Sequence, residues 1–228
     1  MLRNEEESNL KLLKMDLFGE ANDWESKLTP ILEKYKGRKH PLEYQNLYQL
    51  VVMVILSAQD SDANINSISP TLFEAFPNMK SLASSTTEKF IPYISKVRNF
   101  STKSNWIIEI AQTIKEDKNI PLTMETLTAL KGIGRKSANV IIREAGVLTE
   151  GIIADLHVIR VAPRIGLIPE NQDGNKVEKQ LMQILPKTIW GEIGMAFSFL
   201  GRETCRPKPK CNECSINSIC SYYNTNNQ

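Results

Sequence analysis

Apolar residues recur at the spacing of amphipathic helices along most of the chain. In the stretch 47–55 the apolar positions follow the i, i+3, i+4, i+7 rule, which predicts a helix with one face in the core. Four further stretches show the same spacing and are predicted to be helical: 24–35, 107–114, 177–185 and 193–200. Strand-like alternation is scarce. Residues 151–154 are apolar enough for a short strand, but Asp155 after them is typical of a helix N-cap. The predicted fold class is all-α.

Two short apolar helical stretches flank the turn Gly132-Ile133-Gly134, and Arg135 and Lys136 follow it directly. The two glycines have no Cβ, so the backbone can turn sharply there and approach a ligand closely. The amides that open the second helix lie at the positive end of its dipole and suit a phosphate group. The pattern therefore predicts a helix-hairpin-helix that binds a nucleic-acid backbone, with Gly132, Gly134 and Arg135 in contact with DNA.

Charge is distributed unevenly along the 228 residues. Residues 1–25 hold three basic and seven acidic side chains, so the remaining chain has a net charge of +6 although the whole chain has only +2. A basic remainder of this size can supply a local patch that neutralises several phosphates. Residues 1–22 form an acidic extension in which three leucines stand at helical spacing; we predict a peripheral helix there and assign it no chemistry.

All four cysteines lie near the carboxyl end, in the pattern C-x5-C-x2-C-x5-C formed by Cys205, Cys211, Cys214 and Cys220. No stretch predicts a membrane span or a signal peptide, so we expect a bacterial cytoplasmic protein. In a reducing compartment, clustered cysteines favour metal ligation over disulfides. A zinc ribbon usually has two C-x2-C pairs, whereas this chain has only one. The pattern therefore suits a [4Fe–4S] cluster, with zinc as the alternative.

The hairpin with its lysine, the aspartate about twenty residues later and the cysteine run together resemble the endonuclease III family of DNA glycosylases. The resemblance extends from about Trp24 to Tyr223. It implies a six-helix barrel unit of residues 41–150 that ends in the hairpin, and a helical iron–sulfur unit of residues 23–40 and 151–228. It also implies a DNA cleft between the two units and a monomer acting on double-stranded DNA that contains a damaged base or an abasic site.

The resemblance implies that Lys136 is the nucleophile and Asp155 its electrostatic and proton-handling partner. Only about one lysine in a thousand is a neutral amine near neutral pH. The start of a helix and the neighbouring Arg135 both disfavour the ammonium, so we expect the pKa of Lys136 to be lowered. The alternatives are that Lys136 only contacts phosphate and that Asp155 only caps a helix. The stretch Val51 to Ala58 lacks the glutamate of relatives that excise mismatched adenine.

Further DNA contacts follow from the same resemblance. Gln59 matches the position that fills the gap left by an extruded nucleotide. A second wedge, leucine in the family, falls at Asn99 with Phe100 beside it. The loop that begins the cysteine run offers three cations to DNA: Arg206, Lys208 and Lys210. This loop has five residues between its cysteines where the family has six, and Leu156 replaces a small hydroxyl residue after the aspartate.

The predicted function is a bifunctional DNA glycosylase and abasic-site lyase that removes oxidised pyrimidines in base excision repair. A monofunctional glycosylase, in which water attacks and Lys136 only binds, is the first alternative. A non-catalytic iron–sulfur DNA-binding module is the second, and it is expected to lack the lysine or the aspartate.

Overall fold

The computed structural model describes residues 23–226, and the helix predicted within residues 1–22 lies outside that range. The described residues form helices and turns with no β-strand, as predicted. In chain order the α-helices are α1 (Trp24–Tyr35), α2 (Leu47–Ser57), α3 (Asp62–Ala75), α4 (Met79–Ala83), α5 (Thr87–Ile94), α6 (Phe100–Ile114), α7 (Met124–Thr128), α8 (Arg135–Glu144), α9 (Leu156–Ile165), α10 (Gly174–Ile184), α11 (Trp190–Glu203) and α12 (Ser221–Asn226).

The chain divides into two compact units. Residues 39–148 form one unit, which contains α2 to α8. The other unit joins residues 23–38 to residues 149–226 and contains α1 and α9 to α12. We call them the hairpin unit and the cysteine unit, after the motifs that each contains.

Helix α2 is the core of the hairpin unit. The sequence pattern predicted one buried face, but every residue from Tyr48 to Leu56 is buried. Helices α3, α6 and α8 all pack against α2, and a helix that is apolar on all sides is stable only when it is covered in this way. The hydroxyl of Tyr48 donates to the carbonyl of Phe76 at 2.7 Å, so its polar end is satisfied within the core.

Helix α11 is the core of the cysteine unit, and both α1 and α9 pack against it. The non-helical segment 151–154 is buried beside it. A Cβ on Gly194 would lie only 2.6 Å from the carbonyl oxygen of Ile153, so glycine is required for this close approach. At the other end of α11, Glu203 accepts a hydrogen bond from Tyr35 at 3.0 Å and pairs with Arg38.

Of the helices in residues 23–226, none has the length and apolar character needed to cross a membrane.

Candidate functional site

The hairpin turn lies between α7 and α8. Gly132 has a φ of +83°, in the left-handed region, while Ile133 is 4% exposed and anchors the turn in the core. Gly134 is the N-cap of α8 and, being glycine, has no side chain with which to cap the helix. The sequence thus forms the predicted hairpin, and its second helix begins with backbone amides in the position that suits an anion.

Gly132 packs against the indole of Trp106 in α6. A Cβ on this glycine would lie 2.5 Å from Cε3 of Trp106, closer than real Cβ atoms approach. The half-buried indole therefore packs directly against the backbone of the turn and supports it. Trp106 was not predicted as a site residue, since its partner is 26 positions away in sequence.

A groove of about 580 Å³ runs beside the turn within the hairpin unit. Its walls are Ala58 and Gln59 after α2, the N-cap and three residues in the first half of α6, and the hairpin residues 128–134. The N-cap is Asn99, and the three residues of α6 are Thr102, Lys103 and Trp106. The structure thus brings together Gln59, Gly132 and Gly134, which the sequence analysis had assigned separately to DNA. Of the two wedge candidates, Asn99 lines the groove and Phe100 is not among the lining residues.

Lys136 is the second residue of α8 and is half-buried, as is Arg135 before it. Both lie directly after the turn that lines the groove. Their placement matches the predicted one: a lysine in the first turn of a helix that follows a glycine hairpin, at the positive end of the helix dipole.

Asp155 is the N-cap of α9, as its position in the sequence predicted. Its Oδ1 accepts hydrogen bonds from the backbone amides of His157 and Val158 at 2.8 and 2.9 Å. Its Oδ2 accepts a hydrogen bond of 2.6 Å from the hydroxyl of Ser198 in α11. Three donors therefore fix the carboxylate in one orientation. Leu156, which replaces the family's small hydroxyl residue, points outward and is 79% exposed.

The four cysteines line one small cavity in the cysteine unit, together with Arg164, Tyr222 and neighbouring residues. Burial raises the pKa of the Cys214 and Cys220 thiols, and the surrounding cysteines raise it further. Within the described residues, no group of three or more His, Cys, Asp or Glu side chains is arranged to hold a metal ion. What the structure establishes is four free cysteines around a common cavity.

Hydrogen bonds from Arg164 in α9 hold the loop between the first two cysteines. Arg164 donates to the carbonyls of Arg206 and Pro207, at 2.7 and 3.2 Å, and lies 3.6 Å from Sγ of Cys205. The predicted DNA-contacting residues of this loop, Arg206, Lys208 and Lys210, are all exposed. Arg164 was missed by the sequence analysis, because its partners lie more than 40 positions away.

Comparison with known proteins identifies the family. Residues 52–187 match the family model of HhH-GPD superfamily base excision DNA repair proteins. Endonuclease III of Synechocystis sp. is 34% identical over 194 residues, which cover 83% of this chain and 88% of the relative. Endonuclease III of Bacillus subtilis is 34% identical over 183 residues, 78% of this chain and 83% of the relative. The chain belongs to the endonuclease III family.

Solved structures of endonuclease III have the same fold. A trapped endonuclease III–DNA covalent intermediate superposes with a TM-score of 0.78 at 27% identity, over 90% of this chain and 97% of that one. A non-covalent endonuclease III–DNA complex also has a TM-score of 0.78, at 28% identity, over 89% of this chain and 95% of that one. A thermostable thymine-DNA glycosylase, 16% identical, shares the fold with a TM-score of 0.75. The prediction of an all-α helix-hairpin-helix glycosylase fold is confirmed.

Proposed function

We propose that this member of the endonuclease III family is a bifunctional DNA glycosylase and abasic-site lyase of base excision repair. Its substrate is duplex DNA that contains an oxidised pyrimidine or an abasic site. One observation carries the proposal: a lysine, Lys136, occupies the first turn of the helix that follows the hairpin. The groove that the hairpin shares with Gln59 supports it.

Lys136 is the nucleophile. Its neutral amine forms a bond to C1′ of the extruded nucleotide as the N-glycosidic bond breaks, and the departing base takes the bonding electron pair and a proton. The C1′–O4′ bond then breaks, O4′ takes up a proton from solvent, and the opened sugar is a protonated Schiff base of Lys136. This cation acidifies C2′, so loss of a C2′ proton expels the 3′ phosphate by β-elimination. The helix start and the adjacent Arg135 support this role, because both disfavour the ammonium form of Lys136.

Asp155 stabilises the positive charge that develops on the sugar as the glycosidic bond breaks. Its three hydrogen bonds support this role, because a carboxylate fixed in advance needs no reorganisation when the charge appears. Oδ1 of the same carboxylate caps α9, so one side chain both begins the helix and takes part in the chemistry.

The remaining assignments concern DNA. The hairpin backbone at Gly132 and Gly134, with Arg135, binds phosphate, and Gln59 fills the gap left by the extruded nucleotide. The exposed cations of the loop that begins the cysteine run, Arg206, Lys208 and Lys210, contact the backbone elsewhere. Extruding a nucleotide costs a few kcal/mol, so these contacts must compensate for the lost stacking.

We further propose that Cys205, Cys211, Cys214 and Cys220 hold a [4Fe–4S] cluster. Their arrangement around one cavity supports this, and so does the set of four thiol ligands. Base excision transfers no electron, so the cluster supplies structure to the loop rather than a step of the reaction. A cytoplasmic location and a monomeric state stay predictions.

Borohydride trapping tests the lyase directly. Wild type, Lys136→Ala and Lys118→Ala are each incubated with a duplex that contains one abasic site and are then reduced. Lys118 is an exposed lysine paired with Glu116, so its removal controls for the loss of a surface cation. We expect a covalent protein–DNA band from wild type and Lys118→Ala, and none from Lys136→Ala.

A DNA-bound wild type that gives no band would remove the lyase assignment and leave the monofunctional and non-catalytic alternatives. Release of free base from a duplex that contains thymine glycol would then separate these two. The substrate class is tested in the same assay with a duplex that contains 8-oxoguanine. Excision of the oxidised purine in preference to the oxidised pyrimidine would contradict the proposal.

A further inference from the structure

Two residues of the groove have strained backbones. Among residues 23–226 the non-glycine residues with positive φ are Gln59, Asn99 and Lys115. Gln59 has a φ of 60° and Asn99 a φ of 57°, and both line the groove. A left-handed conformation is uncommon for residues other than glycine, although asparagine tolerates it better than glutamine, and it persists where the surroundings favour it. The contacts that enforce it here therefore bear on the function of the groove.

Lys103 supplies the first contact. The side chain is only 2% exposed, and its Nζ donates to the carbonyls of Leu56 and Ala58, each at 2.7 Å. These carbonyls lie at the end of α2, where the helix has no amide donors left for them and where its dipole favours a cation. Since Ala58 directly precedes Gln59, the ammonium fixes the backbone on one side of that residue.

Asp60 supplies the second contact, on the other side of Gln59. Its Oδ2 accepts a 2.8 Å hydrogen bond from the backbone amide of Arg98, which directly precedes Asn99. Its Oδ1 accepts hydrogen bonds from the amide of Ser61 and the side chain of Asn64. The Asp60 carboxylate thus ties the loop that contains Gln59 to the loop that contains Asn99.

The charges of the two groups support each other. Burial lowers the pKa of Lys103, and the carboxylate of Asp60 acts against that shift. Burial also acts to raise the pKa of Asp60, but the hydrogen bond from the Arg98 amide and those from its neighbours outweigh it and leave the pKa lowered. The carboxylate of Asp60 acts to raise the pKa of Lys103 and the ammonium of Lys103 acts to lower the pKa of Asp60, so each group favours the charged form of the other, which is the form that makes charge-assisted hydrogen bonds.

We infer that Lys103 and Asp60 are positioning residues that hold Gln59 and Asn99 in left-handed conformations as a preformed pair, ready to enter the gap left by an extruded nucleotide. The inference rests on the proposed function for the meaning of the gap, but its contacts are independent of the catalytic lysine. Without this pair of positioning residues, the two groove residues relax toward ordinary backbone conformations and must be reordered each time DNA binds.

Binding to an uncleavable duplex tests this inference without requiring chemistry. Fluorescence anisotropy measures the affinity of wild type and Lys103→Met for an intact duplex and for one that contains a tetrahydrofuran abasic analogue. If only about a tenth of the Lys103→Met molecules keep Gln59 and Asn99 in the conformation that binds the gap, affinity for the abasic analogue falls about tenfold. Affinity for the intact duplex is expected to stay within about twofold, since Lys103 is buried and neutralises no phosphate.

Control variants separate positioning from general damage. Lys115→Met makes the same substitution at the exposed carboxyl end of the same helix and should leave both affinities unchanged. Asp60→Ala should weaken binding to the analogue as Lys103→Met does, and Asp60→Asn, which keeps one acceptor oxygen, should restore part of the loss. When Gln59 and Asn99 are both alanine, Lys103→Met should add no further loss.

An equal loss of affinity for both duplexes in Lys103→Met would show general structural damage and overturn the inference, as would unchanged affinity for both. An added loss in the doubly alanine-substituted protein would show that Lys103 does not act through Gln59 and Asn99. Failure of the proposed lyase function is a separate result, because it is seen as a wild type that binds the analogue but gives no borohydride adduct.

Discussion

The contact between Gly132 and Trp106 makes the hairpin turn sensitive to one methyl group. In Gly132→Ala the new Cβ would lie 2.5 Å from Cε3 of the indole and 3.2 Å from two further ring atoms. The ring belongs to the middle of α6, so it cannot move aside as the end of a flexible side chain would. The backbone at this position also has a φ of +83°, which alanine rarely adopts.

The expected cost has two parts. Placing a residue with a Cβ in the left-handed region costs about 1–2 kcal/mol. Forcing an extra methyl group into a packed site costs about 1–3 kcal/mol more. Together these predict that Gly132→Ala lowers the free energy of unfolding by roughly 2–5 kcal/mol, a large fraction of the stability of a typical domain.

Gly134→Ala is the matched control in the same turn. Its φ is −91°, and a Cβ there would have no neighbour within 4 Å among residues 23–226. The destabilisation that remains for Gly134→Ala comes from the poorer N-capping of α8 by alanine and is below about 1 kcal/mol. The two glycines of one motif are thus predicted to differ severalfold in their effect on stability.

Urea unfolding of both variants measures the difference, and a double-mutant cycle locates its cause. In a Trp106→Leu background the clash is removed but the strained φ remains, so Gly132→Ala should then cost only about 1–2 kcal/mol. Equal destabilisation by the two glycine substitutions would refute the reasoning. An unchanged cost of Gly132→Ala in the Trp106→Leu background would show that the indole is not the obstacle.

Three further predictions concern the cysteine unit. Asp155→Asn should keep the cap of α9 but abolish base excision, whereas Asp155→Ala should abolish base excision and also lower the free energy of unfolding by about 0.5–2 kcal/mol. If Asp155→Asn were active in single-turnover excision, the catalytic role would be contradicted. Burial acts to raise the pKa of Glu203, but hydrogen bonds from Arg38 and Tyr35 prevail and lower it. The stability that the ionised Glu203 contributes is therefore fully present above the ordinary glutamate pKa of about 4.3, and it is lost as the pH falls through the lower pKa of the folded protein. The difference in urea midpoint between wild type and Glu203→Gln should then shrink on acidification. A difference that does not depend on pH would count against this. Protein purified without oxygen should contain about four irons and four sulfides per chain and absorb at roughly 400 nm, whereas one zinc per chain would contradict the iron–sulfur assignment.

The features that the sequence predicted correctly are those with local causes. The hairpin glycines, the N-cap at Asp155 and the absence of a strand at 151–154 each follow from a few consecutive residues. The complete burial of α2 could not be predicted in the same way. Its spacing is that of a one-faced helix, and only the other helices packed around it decide how many of its faces are covered.

The contacts that the sequence analysis missed join residues far apart in the chain. Ser198 donates to Asp155 across 43 positions, and Lys103 reaches the carbonyl of Leu56 across 47. A serine within an apolar helix and a lysine within a helix are both common, so neither residue type indicates its partner. Periodicity shows which face of a helix is buried, but not which residue of another element it meets.

One indication of the groove was nevertheless present in the pattern of α6. The apolar stripe predicted for its second half begins at Ile107; extended backward it reaches Lys103 after one turn and Asn99 after two. A lysine at a position that the helical period assigns to the core must be buried with acceptors or disrupt the helix packing, since an unpaired buried ammonium is very costly. Here the acceptors are the last carbonyls of α2. A charged residue within an apolar stripe, at the end of the helix that faces the hairpin, is therefore a sequence-level marker for the positioning role inferred here.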